Sequence, residues 1–165
     1  MARLSWPTIG GGEFILGEGG RWQLLVVYRG QHCPLCKQYL NTLNELFATF
    51  SELDFDVAAL STDLAEQAET DVAKFGWRFP IAFGLGVEEA HQLGLYVSHP
   101  RSPTETPRPF AEPGLFVVNP EGKLQVVETS NAPFARPDLK TLLQGLKFIK
   151  ESGYPVRGTL ARGRG

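Results

Sequence analysis

The chain has 165 residues, 42% of them hydrophobic and 11% aromatic, with a formal net charge of −2. That length and composition fit one soluble globular domain with a sizeable core, and the slightly acidic balance argues against a nucleic-acid binder. No apolar run approaches the roughly 18 residues that a membrane span needs. The opening Met1-Ala2-Arg3-Leu4-Ser5-Trp6-Pro7 lacks the long apolar core of a signal peptide, so the cytoplasm is the expected location. There, a cysteine pair is expected to cycle between dithiol and disulfide rather than act as a permanent staple.

In chain order, residues 1–12 are Gly-rich and are expected to be ordered only in part. Glu13–Leu16 reads as a short strand, and Gly17-Glu18-Gly19-Gly20 as a turn returning into a strand over 22–28. Within that strand, Gln23-Leu24-Leu25-Val26-Val27-Tyr28 has the apolar continuity of a buried one. Next comes Gln31-His32-Cys33-Pro34-Leu35-Cys36-Lys37, which holds the only two cysteines of the sequence. Behind it, Leu35, Tyr39, Leu40, Leu43, Leu46, Phe47 and Phe50 recur at helical spacing and predict a helix over 34–50. Pro34 suits the first helical position, where its missing N–H costs nothing.

A Cys-x-x-Cys at a strand–helix junction has a direct chemical reading. Unpaired N–H groups and partial positive charge at the helix start favour thiolate over thiol, and the thiolate is the nucleophile. Two other readings stay open here. Half of a zinc site would need a second Cys or His pair at short spacing, and His91 and His99 stand alone. Two inert core cysteines would not need the strand before them or the proline between them.

Further along, 54–60 reads as a strand, Ser61-Thr62-Asp63 as a helix cap, and 64–75 as the helix it starts. Residues 79–83 are a short extended piece and 87–93 a short helix. Alternating strands and helices imply right-handed crossovers and a mainly parallel centre. Residues 96–112 carry prolines at 100, 103, 107 and 109 and read as a long loop, either a plain connector or a cover over the cysteines. A strand over 114–119, the turn Asn119-Pro120-Glu121-Gly122 and a returning strand over 123–128 make a hairpin. The last helix starts after Arg136-Pro137-Asp138, buries Leu139, Leu142, Leu143, Leu146 and Ile149, and stops near Gly153. Residues 155–165 read as a flexible, basic tail with Arg157, Arg162 and Arg164, the whole chain 1–165 being a single domain. Trp22 and Trp77 are assigned to core or rim packing.

This order of elements resembles the thioredoxin fold, and four stretches are similar to its peroxiredoxin-like branch, the alkyl hydroperoxide reductase/thiol-specific antioxidant family. They are Val27-Tyr28-Arg29-Gly30-Gln31-His32-Cys33-Pro34-Leu35-Cys36, Val57-Ala58-Ala59-Leu60-Ser61-Thr62-Asp63, Phe79-Pro80-Ile81-Ala82, and 114–123 with its Asn119-Pro120-Glu121-Gly122 turn. The resemblance covers about 13–152 and implies an α/β, thioredoxin-like domain, its central mixed sheet flanked by helices, with an N-terminal β-hairpin addition.

The two ends of this resemblance imply different mechanisms. In the thioredoxin register Cys33 attacks and Cys36 resolves. In the peroxiredoxin register the peroxide-attacking cysteine falls on Cys36, the usual threonine falls on Cys33 and the usual proline on Arg29. The arginine that peroxiredoxins place before the hairpin strand is replaced by Glu112-Pro113-Gly114, so Arg29, Arg101 or Arg108 would have to stand in. Pro113 matches the thioredoxin-family proline that faces the cysteines, which predicts a cis Glu112–Pro113 bond beside Cys33, its backbone open to an incoming partner. Cys33, at the loop end of the helix, is expected to be the more open sulfur.

Beside Cys33, His32 reads either as a group that tunes the thiol or as a plain loop side chain. Lys37 adds positive potential or is an ordinary helix lysine. The expected activity is thiol–disulfide oxidoreduction by Cys33 and Cys36, with His32, Arg29 and Pro113 binding substrate or tuning the thiol. The substrate is a peroxide or a protein disulfide, the reductant a thioredoxin- or glutathione-type donor, and a homodimer is a further expected partner. Metal, nucleotide and flavin are not implied, nor are nucleic acid or membrane. A non-catalytic redox sensor or interaction module, with the Pro-rich loop as its docking element, is the alternative from another class.

Overall fold

The computed structural model describes residues 3–161; Arg162 and Arg164 of the expected basic tail lie outside them. Five strands form the central sheet. β3 (Trp22–Val27), β4 (Phe55–Leu60) and β5 (Ile81–Ala82) are parallel, and β8 (Gly114–Val118) and β9 (Leu124–Thr129) complete the order β5-β4-β3-β8-β9. β8 runs antiparallel to β3, and β9 antiparallel to β8. The parallel pairs are joined through α1 (Pro34–Glu52) and α2 (Ala65–Phe75).

Side chains alternate between the two faces of a strand, so β3 feeds two cores. Leu24 and Val26, with Tyr28 just beyond the strand, pack with Leu40, Leu43 and Phe50 of α1, Ala68 of α2, and Leu139 and Leu146 of α4 (Leu139–Ser152). Leu25 and Val27 pack on the opposite face with Trp6, Phe14, Leu85, Ala90 and Phe116. That second face is covered by the hairpin of β1 (Leu4–Pro7) and β2 (Glu13–Leu16) and by α3 (Val87–Gln92).

The expected mixed sheet, flanking helices and N-terminal hairpin addition are all present. Asp138 caps α4, its Oδ2 accepting the Thr141 N–H at 2.9 Å, and Gly153 ends the helix in the left-handed conformation. Three expectations are corrected. Glu13–Leu16 pairs with Leu4–Pro7 and not with the strand after Gly20, because Trp6 and Phe14 are apolar and are buried together against the sheet. The 96–112 segment is not an open loop. β6 (Val97–Ser98) and β7 (Phe110–Ala111) pair antiparallel and clamp its two ends. Ser61-Thr62-Asp63 does not cap α2. Gln67 Oε1 takes the Leu64 N–H at 3.0 Å, and Asp63 turns elsewhere.

Candidate active site

β3 and β4 end side by side, with Val27 opposite Leu60, and the chain leaves β3 through Tyr28, Arg29 and Gly30. Gly30 sits at φ +132°, and a Cβ there would run into the Asp63 carboxylate. Only glycine gives both that conformation and that closeness. Asp63 Oδ2 accepts the Gln31 N–H at 2.9 Å, and the Cys33 N–H donates to Gly30 O at 3.2 Å. The loop is thereby folded so that Cys33 becomes the N-cap of α1, with Pro34 at its first position.

Cys33 Sγ accepts the Cys36 N–H at 3.2 Å, and the two sulfurs are joined in a disulfide with their Cα atoms 5.3 Å apart. A side-chain acceptor at this point meets one of the four otherwise unpaired N–H groups of the helix start. Exposure separates the pair, with Cys33 at 3% and Cys36 at 0%. Cys33, not Cys36, lines an open cavity of about 640 Å³, together with Arg29, His32 and Leu35 of its own loop and with Arg101 and Glu105 of the Pro-rich segment.

Arg29 is tied to Glu112 by two hydrogen bonds, Nε to Oε2 at 2.8 Å and Nη2 to Oε1 at 2.7 Å. Its guanidinium lies 5.0 Å from the Phe110 ring centre, and Ser98 Oγ donates to the same Glu112 Oε1 at 2.8 Å. The β6–β7 clamp therefore fixes the cation beside Cys33. The His32 ring packs edge-on against Phe110 at 4.6 Å, with Nε2 buried and unpaired. Burial first, and then the Arg29 charge, pull His32 below the usual imidazole range, so it is neutral around pH 7.

Of the three arginines weighed from sequence, Arg29 and Arg101 reach the cavity. Arg108 points to Thr62 O at 3.3 Å and Gln67 Oε1 at 3.1 Å instead. Pro113 is a correction. Among the described residues every peptide bond is trans, and Pro113 lines a separate small cleft with Tyr39, Ser130 and Arg136. The chain runs extended from β7 through Glu112-Pro113 into β8, so no tight turn calls for a cis bond, and Pro113 O is already taken by Ser130 N–H at 3.1 Å.

Lys37 belongs to a buried polar group that sequence reasoning missed. Its Nζ lies 3.7 Å from Asp71 Oδ1, and Asp71, Asp63 and Tyr28 are all buried behind the cysteine loop. Burial pushes the Asp63 carboxyl up to about 6, against a lowering by the Gln31 N–H. The signal was present in Ser61-Thr62-Asp63. Its local pattern is that of a helix cap, and nothing local says that β3 ends next to it.

The profile of the AhpC/TSA family matches residues 9–127. A peroxiredoxin of Methanothermobacter thermautotrophicus is 26% identical over 147 residues, covering 81% of this chain and 64% of that protein. This chain thus spans less than two thirds of that relative's length. A putative peroxiredoxin, YkuU, of Bacillus subtilis is 23% identical over 143 residues, covering 82% and 74%. Among solved structures, peroxiredoxin 6 of Arenicola marina superposes with a TM-score of 0.75 at 20% identity, covering 93% of this chain and 72% of that one. AhpC of Enterococcus faecalis gives 0.72 at 19% identity, covering 94% and 95%. At such identities the superpositions establish the shared thioredoxin-like fold.

Proposed function

The chain belongs to the AhpC/TSA family, and from that premise we propose that it is a thiol-dependent peroxidase whose catalytic pair is Cys33 and Cys36. The observation that carries the assignment of roles is the cavity, because it opens on Cys33 and leaves Cys36 sealed. Cys33 is the attacking sulfur. When the pair is reduced, its position as N-cap, with the Cys36 N–H directed at it, favours the thiolate.

The thiolate attacks one peroxide oxygen, the O–O bond breaks and its electron pair leaves as alkoxide or hydroxide, which takes a proton. Cys33 is left as a sulfenic acid. Cys36 then attacks the Cys33 sulfur, the disulfide forms and water departs with the Cys36 proton. Arg29, held by Glu112 beside the sulfur, supplies positive charge where negative charge develops on the oxygens. Neutral His32 adds no charge of its own, so Arg29 supplies the positive charge there. An external thiol donor reduces the disulfide and closes the cycle. No helix among the described residues is long and apolar enough to cross a membrane, and we place the cycle in the cytoplasm, where such donors are maintained. Reduction of protein disulfides, the other substrate weighed from sequence, loses the support that a cis Pro113 beside Cys33 would have lent.

Stopped-flow oxidation of the reduced protein by hydrogen peroxide, followed by Trp fluorescence, tests the reading. Oxidation on the order of a hundredfold faster than free cysteine at the same pH is expected, the size of effect that one oriented donor supplies. Cys33→Ser abolishes the fast phase, whereas Cys36→Ser keeps it and stops at the sulfenic acid. A native rate no faster than free cysteine overturns the peroxidase reading. Loss of the fast phase in Cys36→Ser alone transfers the attacking role to Cys36.

A further inference from the structure

The cavity over Cys33 is larger than hydrogen peroxide needs. At about 640 Å³ it has roughly twenty times the ~30 Å³ share of one water molecule, and it lies in the range of sites that hold whole organic ligands. Its far wall is built from the Pro-rich segment between β6 and β7. There Arg101 Nε is held by Glu105 Oε2 at 2.5 Å, and the Arg101 N–H donates to Glu105 Oε1 at 3.3 Å. Glu105 thereby aims the guanidinium, while its two terminal nitrogens have no protein partner among the described residues, and the side chain is 89% exposed. A planar fork with two open donors, fixed from behind, is suited to a carboxylate.

The chemical state matters as much as the shape. At the disulfide stage of the proposed cycle the joined cysteines react with a reductant, not with peroxide. Cys36 is fully buried, so the reductant's thiolate has only Cys33 to attack. Cys33 itself is 3% exposed, in a cavity lined also by Leu35, Arg101, Glu105 and Pro133. A slender thiol reaches that sulfur more readily than one fixed in the surface of a folded protein.

We propose that this cavity is the electron-donor site, and that it takes a small thiol carrying a carboxylate, of the peptide-thiol class, with the carboxylate on Arg101 and the sulfur at Cys33. The proposal rests on the Cys33–Cys36 cycle of the preceding reading, but not on the identity of the oxidant. The donor thiolate attacks Cys33, a donor–Cys33 disulfide forms, the Cys33–Cys36 bond breaks, and Cys36 leaves as a thiolate that takes up a proton. A second donor thiolate attacks the first donor's sulfur, giving the donor disulfide and the Cys33 thiolate. In sum, two donor thiols are oxidised and one protein disulfide is reduced.

The test reduces the disulfide form of the full chain with glutathione and with 2-mercaptoethanol, which has no carboxylate, and compares second-order rate constants per thiolate. Glutathione is expected to lead by about fivefold, the effect of one exposed ion pair, and Arg101→Glu to bring the ratio to one or below. In Cys36→Ser, glutathione disulfide should leave a glutathione adduct on Cys33 that mass spectrometry locates. Equal native rates, a ratio indifferent to Arg101→Glu, or an adduct absent from Cys33 overturns the donor site. Peroxide oxidation of the reduced protein is measured in parallel. Slow oxidation with the glutathione preference intact overturns the peroxidase reading alone, and fast oxidation without the preference overturns the donor site alone.

Discussion

Asp63 is the residue from which the cysteine loop hangs. It lies in the turn just past β4, and its carboxylate accepts the Gln31 N–H against the bare face of Gly30. In the folded chain it titrates at about 6, above the ordinary 3.8, because it is only 3% exposed. The folded state therefore binds more protons than the unfolded chain between about pH 4 and 6, and stability falls as pH rises through that window. Raising the carboxyl from 3.8 to about 6 corresponds to a loss on the order of 3 kcal/mol, fully felt above pH 6. Asp63→Asn mimics the protonated form and can still accept the Gln31 N–H. It is expected to stabilise the protein by about 2 kcal/mol at pH 8 and to leave stability near pH 4 little changed, as read by urea unfolding at the two pH values. A wild-type stability profile that is flat from pH 4 to 7 would refute the assignment. Asp63 was legible as a residue with a task, but its task was not. A helix cap is a local pattern, whereas bracing Gln31 is a contact across 32 residues that only the strand pairing brings about.

Between elements, the register of β3 on β8 sets the cation. Val27 lies opposite Gly114, so continuing each chain by two residues brings Arg29 opposite Glu112. Sequence singled out Arg29 as a candidate, yet its partner was invisible, because Glu112 stands 83 residues away in a Pro-rich stretch. Two-residue strands such as β6 and β7 carry no periodicity, so the clamp that turns this stretch into a wall of the cavity was equally hidden. The Glu112 side chain is only 2% exposed, and removing its partner leaves a buried charge uncompensated. Arg29→Met is expected to cost about 3 kcal/mol in urea unfolding, and Glu112→Leu in the same chain to recover at least half of it. If the double variant is no more stable than Arg29→Met, the pair is not the source of the loss.

At the level of the molecule, the parts that repeat a local pattern were legible: apolar runs for β3 and β4, helical spacing for α1 and α4, the Asn-Pro-Glu-Gly turn of the last hairpin, and the helix-starting cysteine pair. What escaped was set by packing on the sheet, namely which neighbour Glu13–Leu16 joins and how the chain crosses Pro113. The reactive loop leaves the carboxyl end of β3 between a parallel and an antiparallel neighbour, so both halves of the sheet hold its base. One feature of that base reaches beyond chemistry. Cys33 Sγ is also the acceptor of the Cys36 N–H, so the atom proposed as reagent is at the same time the end-stop of a 19-residue helix. In Cys36→Ser, blocking Cys33 with iodoacetamide should speed deuterium uptake at the residue-36 amide by about tenfold, and unchanged uptake would mean that another group holds the helix end. Exchange at that one amide would then report, with no view of sulfur, whether Cys33 still holds the end of the helix.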